Sequence, residues 1–305
     1  MTNETRIWRM TTYLRGQLPA FCAEDVMRKL ALTYYLYRKL INTNNECDFD
    51  KTTRCVLSFV DNLDKDNAST SKNPLVKKIF SVRKEICELV DNGYKDYRSY
   101  TKESDSYDPN QITRIYNDLN DDCLLDLINC SFENSIRDDS TPDTISELVL
   151  KLADKYTKNK NIVTDMTCSS GTFLMKAAKT FKRVEGVEIN KDNATLAKVR
   201  IALMGVDSEI RNSNCFEDSW HHQVIRPKSD LVFAEFPWKL IIKDPDQKEV
   251  MLNCNANRFM LTQNSSTDYF FLSAMMNYLN DTGVAMTVVP LSTLSNLSDK
   301  IQFFH

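Results

Sequence analysis

Three acids stand at the ends of three short apolar runs in the second half of the chain: Asp165, Glu188 and Glu235. Asp165 closes Asn161-Ile162-Val163-Thr164, a β-branched run suited to a buried strand, and is followed by small residues containing Gly171 and then by Phe173 to Phe181, which reads as helix. A strand, a small-residue turn and a helix N-terminus make a nucleotide-binding edge, because the turn lets a ligand approach backbone N–H groups. Glu188 closes a second strand about twenty residues later, the usual place for a carboxylate that accepts from ribose hydroxyls. Glu235 opens an acid-aromatic-Pro-aromatic corner, Glu235-Phe236-Pro237-Trp238, after the run Ser229 to Ala234. Three strand ends in this order point to one site.

Other chemistries lack their residues. There is no Gly-x-Gly-x-x-Gly, which argues against a nicotinamide enzyme, and no Gly-rich run ending in Lys-Ser/Thr for a P-loop. His221 and His222 are adjacent in a polar stretch without metal-ligand spacing, so no metal is expected. Nine cysteines without a Cys-x-x-Cys pair suggest free thiols in a reducing compartment.

These motifs resemble the modification subunit of type I restriction-modification systems, the N6-adenine DNA methylase family. Its cofactor loop runs roughly Asp-Pro-Ala-Cys-Gly-Thr-Gly-Gly-Phe-Leu, matched here by Asp165, Cys168, Gly171, Phe173 and Leu174, with Ser169 in place of a glycine. Its second strand ends in Glu-Ile-Asn, as Glu188-Ile189-Asn190 does, and its Phe-Thr-Pro segment is echoed by Ser140-Thr141-Pro142. Its Asn-Pro-Pro-aromatic tetrad falls on Glu235-Phe236-Pro237-Trp238. The resemblance implies S-adenosyl-L-methionine as cofactor, held by Ser140, Thr141, Pro142, Asp165, Thr167, Cys168, Ser169, Gly171, Thr172, Glu188, Ile189 and Asn214. It implies methylation of adenine N6 in double-stranded DNA, with a specificity subunit and a restriction subunit of the same system as partners. Glu235 and the backbone at Phe236 would accept from the target amine, and Trp238 would stack on the flipped base. Read without the resemblance, Asn214 is a helix cap or turn and Ser140-Thr141-Pro142 a helix N-terminus with Pro142 at the first helical position.

Two departures keep a second reading open. Ser169 serves only if that position does not need φ > 0, and Phe236 replaces a proline whose carbonyl must be aimed. A catalytically degenerate, DNA-clamping structural subunit is the alternative, and a methyltransferase acting on RNA or protein is a third.

The elements that must position these residues follow from periodicity. Helix is expected over Ala23 to Ile41, Cys55 to Leu63, Leu75 to Val90, Gln111 to Leu119 and Leu124 to Phe132, with polar loop over Asp64 to Asn73 and a connector over Tyr100 to Asn110. From Ile162 onward strands and helices alternate: helix over Lys191 to Met204 ended by Gly205, strands at Glu209 to Asn212 and Leu231 to Phe233, helix over Asp268 to Leu279, and a buried strand over Gly283 to Val289. The expected fold is α/β: a doubly wound Rossmann-like methyltransferase sheet (131–305) preceded by an all-helical N-terminal domain (1–130). Glycine is scarce, six in all, and Gly171, Gly186, Gly205 and Gly283 are expected at turns or element ends. The resemblance further implies that C-terminal elements of the catalytic domain lie beyond His305.

With 39 basic against 42 acidic side chains the net charge is −3, so DNA contact must come from a local patch or a partner subunit. No run of about eighteen apolar residues offers a membrane helix, and Met1 to Arg6 opens no signal sequence. The expectation is a cytoplasmic protein without membrane contact.

Overall fold

The computed structural model describes residues 20–41, 48–101, 116, 119–129, 141–219, 227–254, 261 and 265–295. The chain divides into two compact units, Met1–Asp138 and Asp139–His305.

In the first unit the described residues are helical: α1 (Ala20–Leu36) continuing as a π-turn (Tyr37–Ile41), α2 (Phe49–Asp61), α3 (Lys65–Thr70), α4 (Pro74–Phe80), α5 (Arg83–Thr101) and α6 (Asp121–Asn129). The apolar positions of α1 meet the other helices in a core where Tyr34 stacks on Tyr116 at 4.7 Å and the Tyr116 hydroxyl donates to Met27 O. Two expectations change. Asp64 to Asn73 is not all loop: Asp64 accepts from Asn67 N and so starts α3, a capping signal inside a polar stretch. Leu75 to Val90 is two helices, the first with Asn73 as cap and Pro74 in its first turn. The connector beyond Thr101 and residues 111–115, 117–118 and 130–132 of the expected helices lie outside the described residues.

The second unit is built on β1 (Ile162–Asp165), β2 (Arg183–Glu188), β3 (Asp207–Asn212), β4 (Ser229–Ala234) and β5 (Leu279–Thr287), in the order β3-β2-β1-β4-β5. All four pairings are parallel, and Asp165 lies in register with Gly186 of β2 and Phe233 of β4. Helices are α7 (Asp143–Tyr156), α8 (Thr172–Ala177), α9 (Lys191–Met204), α10 (Pro245–Cys254), α11 (Thr267–Tyr278) and α12 (Leu291–Ser295). Alternation along β4 splits the core in two: Leu231 and Phe233 join side chains of α7, α8 and α9, while Val232 and Ala234 join side chains of α10 and α11. This is the doubly wound α/β fold, with the chain reversing direction across the sheet between β1 and β4.

The expected elements recur with corrections. Helix α9 runs from Asn190, which caps Asp192 N and Asn193 N, to Gly205 in the left-handed region at φ 72°. Helix α8 ends at Ala177, and the chain reaches Phe181 through turns. β5 was expected to be buried over Gly283 to Val289; it begins at Leu279 and is the half-exposed edge of the sheet. Gly186 is not at an element end but inside β2, where an added Cβ would lie 2.7 Å from Cys168 Sγ and 2.8 Å from Leu174 Cδ1. The missing side chain there lets the loop after β1 settle onto the sheet. No helix among the described residues is long and apolar enough to cross a membrane.

Candidate active site

The loop after β1 is held at every turn. Met166 N donates to Phe233 O at 3.1 Å and Cys168 N to Val187 O at 3.0 Å, extending the sheet's hydrogen bonds past the strand end. Gly171, at φ 85°, receives the turn (its N–H donates to Cys168 O at 2.8 Å) and starts α8. Glu188 staples the loop to β2: one oxygen accepts from Ser169 N at 2.9 Å and the other from Asn190 N at 2.6 Å. From below, the fully buried Arg200 of α9 donates to Ser170 O and Ser170 Oγ, both at 2.9 Å.

Ser169 sits at φ 45°, so the position does require the left-handed region where the resembling loop has glycine. Its side chain is buried and accepts from Asn193 Nδ2 at a long 3.5 Å. A non-glycine residue in this region costs roughly 1–2 kcal/mol. Ser169→Gly is therefore expected to stabilise the protein by about 1 kcal/mol, raising the thermal midpoint by roughly 2–4 °C. A fall in the midpoint would show that the Asn193 contact outweighs the strain.

The three acids converge electrostatically. Asp165, 1% exposed, accepts from Thr167 N at 3.0 Å. Burial raises its pKa to about 8; the Thr167 N–H opposes the rise, and the charges of Glu188 and Glu235 add to it. The folded protein thus holds a proton that the unfolded chain releases near 3.8. The stability this contributes is complete below that value and is lost as pH climbs toward about 8. The thermal midpoint of the unliganded protein is expected to fall across this window. In Asp165→Asn that fall should be smaller, and an unchanged pH profile would remove Asp165 as the titrating group.

At the end of β4 the corner turns abruptly. Glu235 is half-buried and makes no hydrogen bond or ion pair among the described residues. Phe236 swings inward, 2% exposed, with its ring stacked on Phe271 at 4.5 Å and 4°. Pro237 is exposed, and Trp238 is 50% exposed with its indole N–H donating to Val288 O at 3.0 Å. Lys239, at φ 52°, donates its N–H to Asp268 Oδ1 at 3.0 Å, and Asp268 also accepts from Thr293 Oγ1 at 2.7 Å. The positive-φ non-glycine residues of the described chain are Ser169 and Lys239, one in the β1 loop and one directly after the β4 corner.

The remaining candidates divide. Thr167 Oγ1 and Thr172 Oγ1 are buried without a hydrogen-bond partner among the described residues. Ile189 projects at 70% exposure beside Glu188. Asn214 Oδ1 accepts from Phe216 N at 3.0 Å and its carbonyl from Asp218 N at 3.0 Å, so it caps the helical turn over 215–219. Thr141 is buried, whereas Pro142 is exposed and occupies the cap position of α7, not its first turn, with no side-chain cap bond. Ser140, His221 and His222 lie outside the described residues. Sequence reasoning missed Arg200, Asn193, Lys239 and Asp268. Asn193 had a signal in the cap spacing from Asn190; a buried arginine in a helix of mixed polarity had none.

The model of the N-6 DNA Methylase family matches residues 139–302, more than half of the chain. The chain belongs to the N-6 DNA methylase family. No curated protein sequence matches it. Among solved structures, this family member is similar to the type I restriction-modification system methyltransferase subunit from Streptococcus thermophilus. The two share 17% identity at a TM-score of 0.59, over 96% of this chain and 76% of that one. A protein from Vibrio vulnificus YJ016, named as a type I modification subunit, aligns at 13% identity and a TM-score of 0.54, over 96% and 72% of the two chains. At such identities the likeness establishes the fold; what this N-6 DNA methylase binds and acts on is a matter for its own site.

Proposed function

We propose that the chain is an S-adenosyl-L-methionine-dependent methyltransferase that methylates adenine N6 in DNA, as the modification subunit of a restriction-modification system. The observation that supports this best is the Glu188-stapled loop at β1 lying one strand from the Glu235–Trp238 corner, in an N-6 DNA methylase. The residues present fit the cofactor. Each Glu188 oxygen uses one lone pair on a backbone N–H and keeps another for a ribose hydroxyl. Asp165, ionised when a cation arrives, holds the amino group. Thr167 and Thr172 bring hydroxyls that have no partner among the described residues, Ile189 covers a flat ring, and Asn214, its oxygen engaged by Phe216 N, keeps its amide N–H for a ring acceptor. Ser169, Cys168 and Gly171 shape the turn, and Ser140, Thr141 and Pro142 border the methionine end.

When bound, the cofactor supplies an electrophilic methyl group. Glu235 and the Phe236 carbonyl accept the hydrogens of the target amine and so orient its lone pair, and Trp238 stacks on the flipped base above the rigid Pro237. Partners in this reading are double-stranded DNA, a specificity subunit that reads the sequence, and a restriction subunit, in the cytoplasm. The burial of Phe236 where the resembling tetrad has proline, and the positive φ of Ser169 where the resembling loop has glycine, favour a second reading: a non-catalytic subunit that keeps the fold.

Calorimetric titration of the purified chain with S-adenosyl-L-methionine tests the proposal before any methylation assay. Binding in the micromolar range, competed by S-adenosyl-L-homocysteine, is the expected result; absence of binding sinks the catalytic reading.

A further inference from the structure

The corner is followed by Lys239-Leu240-Ile241-Ile242-Lys243, three apolar residues between two cations. Single exposed apolar side chains are ordinary, but a run of them on a loop is a liability unless something covers it. Here the run is fixed and its middle residue stands out. Lys239 N is held by Asp268, and Leu240 O accepts from Thr267 Oγ1 at 2.8 Å, so both anchor to the start of α11. Ile242 packs against the core beneath α10 and α11, and the underside of the segment borders a cavity of about 300 Å³ shared with Met251, Leu252 and Phe270. Ile241 is 79% exposed, with Trp238 at 50% and Leu240 at 39% beside it in sequence, and Lys239 and Lys243 are exposed on either side.

An apolar tip on a backbone bolted at its base, with a lysine on each flank, has the chemistry of a duplex-entering wedge. Apolar side chains enter between base pairs at opened steps, while cations hold the adjoining phosphates. A base taken out of the stack leaves a gap lined by flat apolar faces, which an isoleucine fills. We propose that Ile241 is a wedge that occupies the gap in the duplex left by the base presented to the Glu235–Trp238 corner, with Lys239 and Lys243 on the flanking phosphates. This rests on the reading of the chain as one that acts on DNA. Neutral occupants, such as an apolar peptide, leave the two lysines unexplained.

The test uses the full chain at low salt and two fluorescein-labelled duplexes of one sequence, one intact and one carrying a single abasic site, followed by anisotropy. The chain is expected to bind the abasic duplex about tenfold more tightly than the intact one, because the gap is already open. Ile241→Ala should lose that preference, so that the two duplexes are bound alike. Lys243→Gln should weaken both and reduce the slope of log affinity against log salt by about 1. Equal binding of both duplexes, unmoved by Ile241→Ala, overturns the wedge and leaves the DNA reading standing. Binding of neither duplex overturns the wedge as this chain's own means of entering DNA, and the DNA reading then rests on the assembled complex. Self-association abolished by Ile241→Ala, without any preference for the abasic duplex, overturns the wedge in favour of an interface between copies of the chain.

Discussion

Replacing Glu188 with Ala is expected to weaken S-adenosyl-L-methionine binding by about two orders of magnitude. The carboxylate accepts two charge-assisted hydrogen bonds, from Ser169 N and Asn190 N. Each such bond contributes roughly 1.5–3 kcal/mol to holding the turn, and Ser169, once released, leaves its strained φ. On the proposed ribose contact, losing the acceptor oxygens and the turn they hold in place amounts to about 3 kcal/mol, which is about 100-fold in affinity. Glu188→Gln keeps one carbonyl acceptor and a similar shape, so a loss nearer to tenfold is expected. Calorimetry on the three proteins decides the matter, and an affinity unchanged in the alanine variant would place the cofactor elsewhere.

Glu235→Ala should leave cofactor affinity within about twofold and slow methyl transfer by roughly 10²–10³-fold, the usual consequence of deleting one preorganised polar group at a reacting centre. Labelled methyl incorporation into DNA by the assembled complex measures this. Restoring the resembling tetrad in full is not a clean test, because the Phe236 ring is buried and stacked on Phe271. Phe236→Pro would empty that site at a cost of about 3–5 kcal/mol and lower the thermal midpoint by roughly 10 °C. Glu235→Asn alone separates the readings. A gain of transfer from nothing supports a degenerate corner, whereas a loss shows that Glu235 and the inward Phe236 work together as they stand.

Much of the sheet unit was legible because its signals are local. The β-branched run before Asp165, the acid at Glu188, and the Asn190-to-Gly205 bracket around α9 each declare an element with both its ends. Helix α10 gave no such signal: of its ten residues only Met251 and Cys254 are buried, so no apolar face repeats. β5 was misread as buried because Gly283 to Val289 is an apolar run, yet its place at the sheet edge is a property of topology, which no run of side chains encodes. Within the site, residue types pointed to Asp165, Gly171 and Glu188. They did not reveal that Ser169 would take φ 45°, or that Phe236 would turn inward. Both depend on contacts made by residues far away in sequence, with Glu188 and Asn193 for one and Phe271 for the other.

Arg200 has a consequence for timing. Its guanidinium, sealed from water beneath the β1 turn, grips the Ser170 carbonyl and hydroxyl without any ligand present. The rotational freedom of that turn is therefore surrendered when the domain folds and is not subtracted again when a small molecule docks. Association at this end of the sheet should be a single fast phase with no slow rearrangement behind it. Any slow step in the proposed reaction is then expected on the other side of the site, at the Glu235–Trp238 corner.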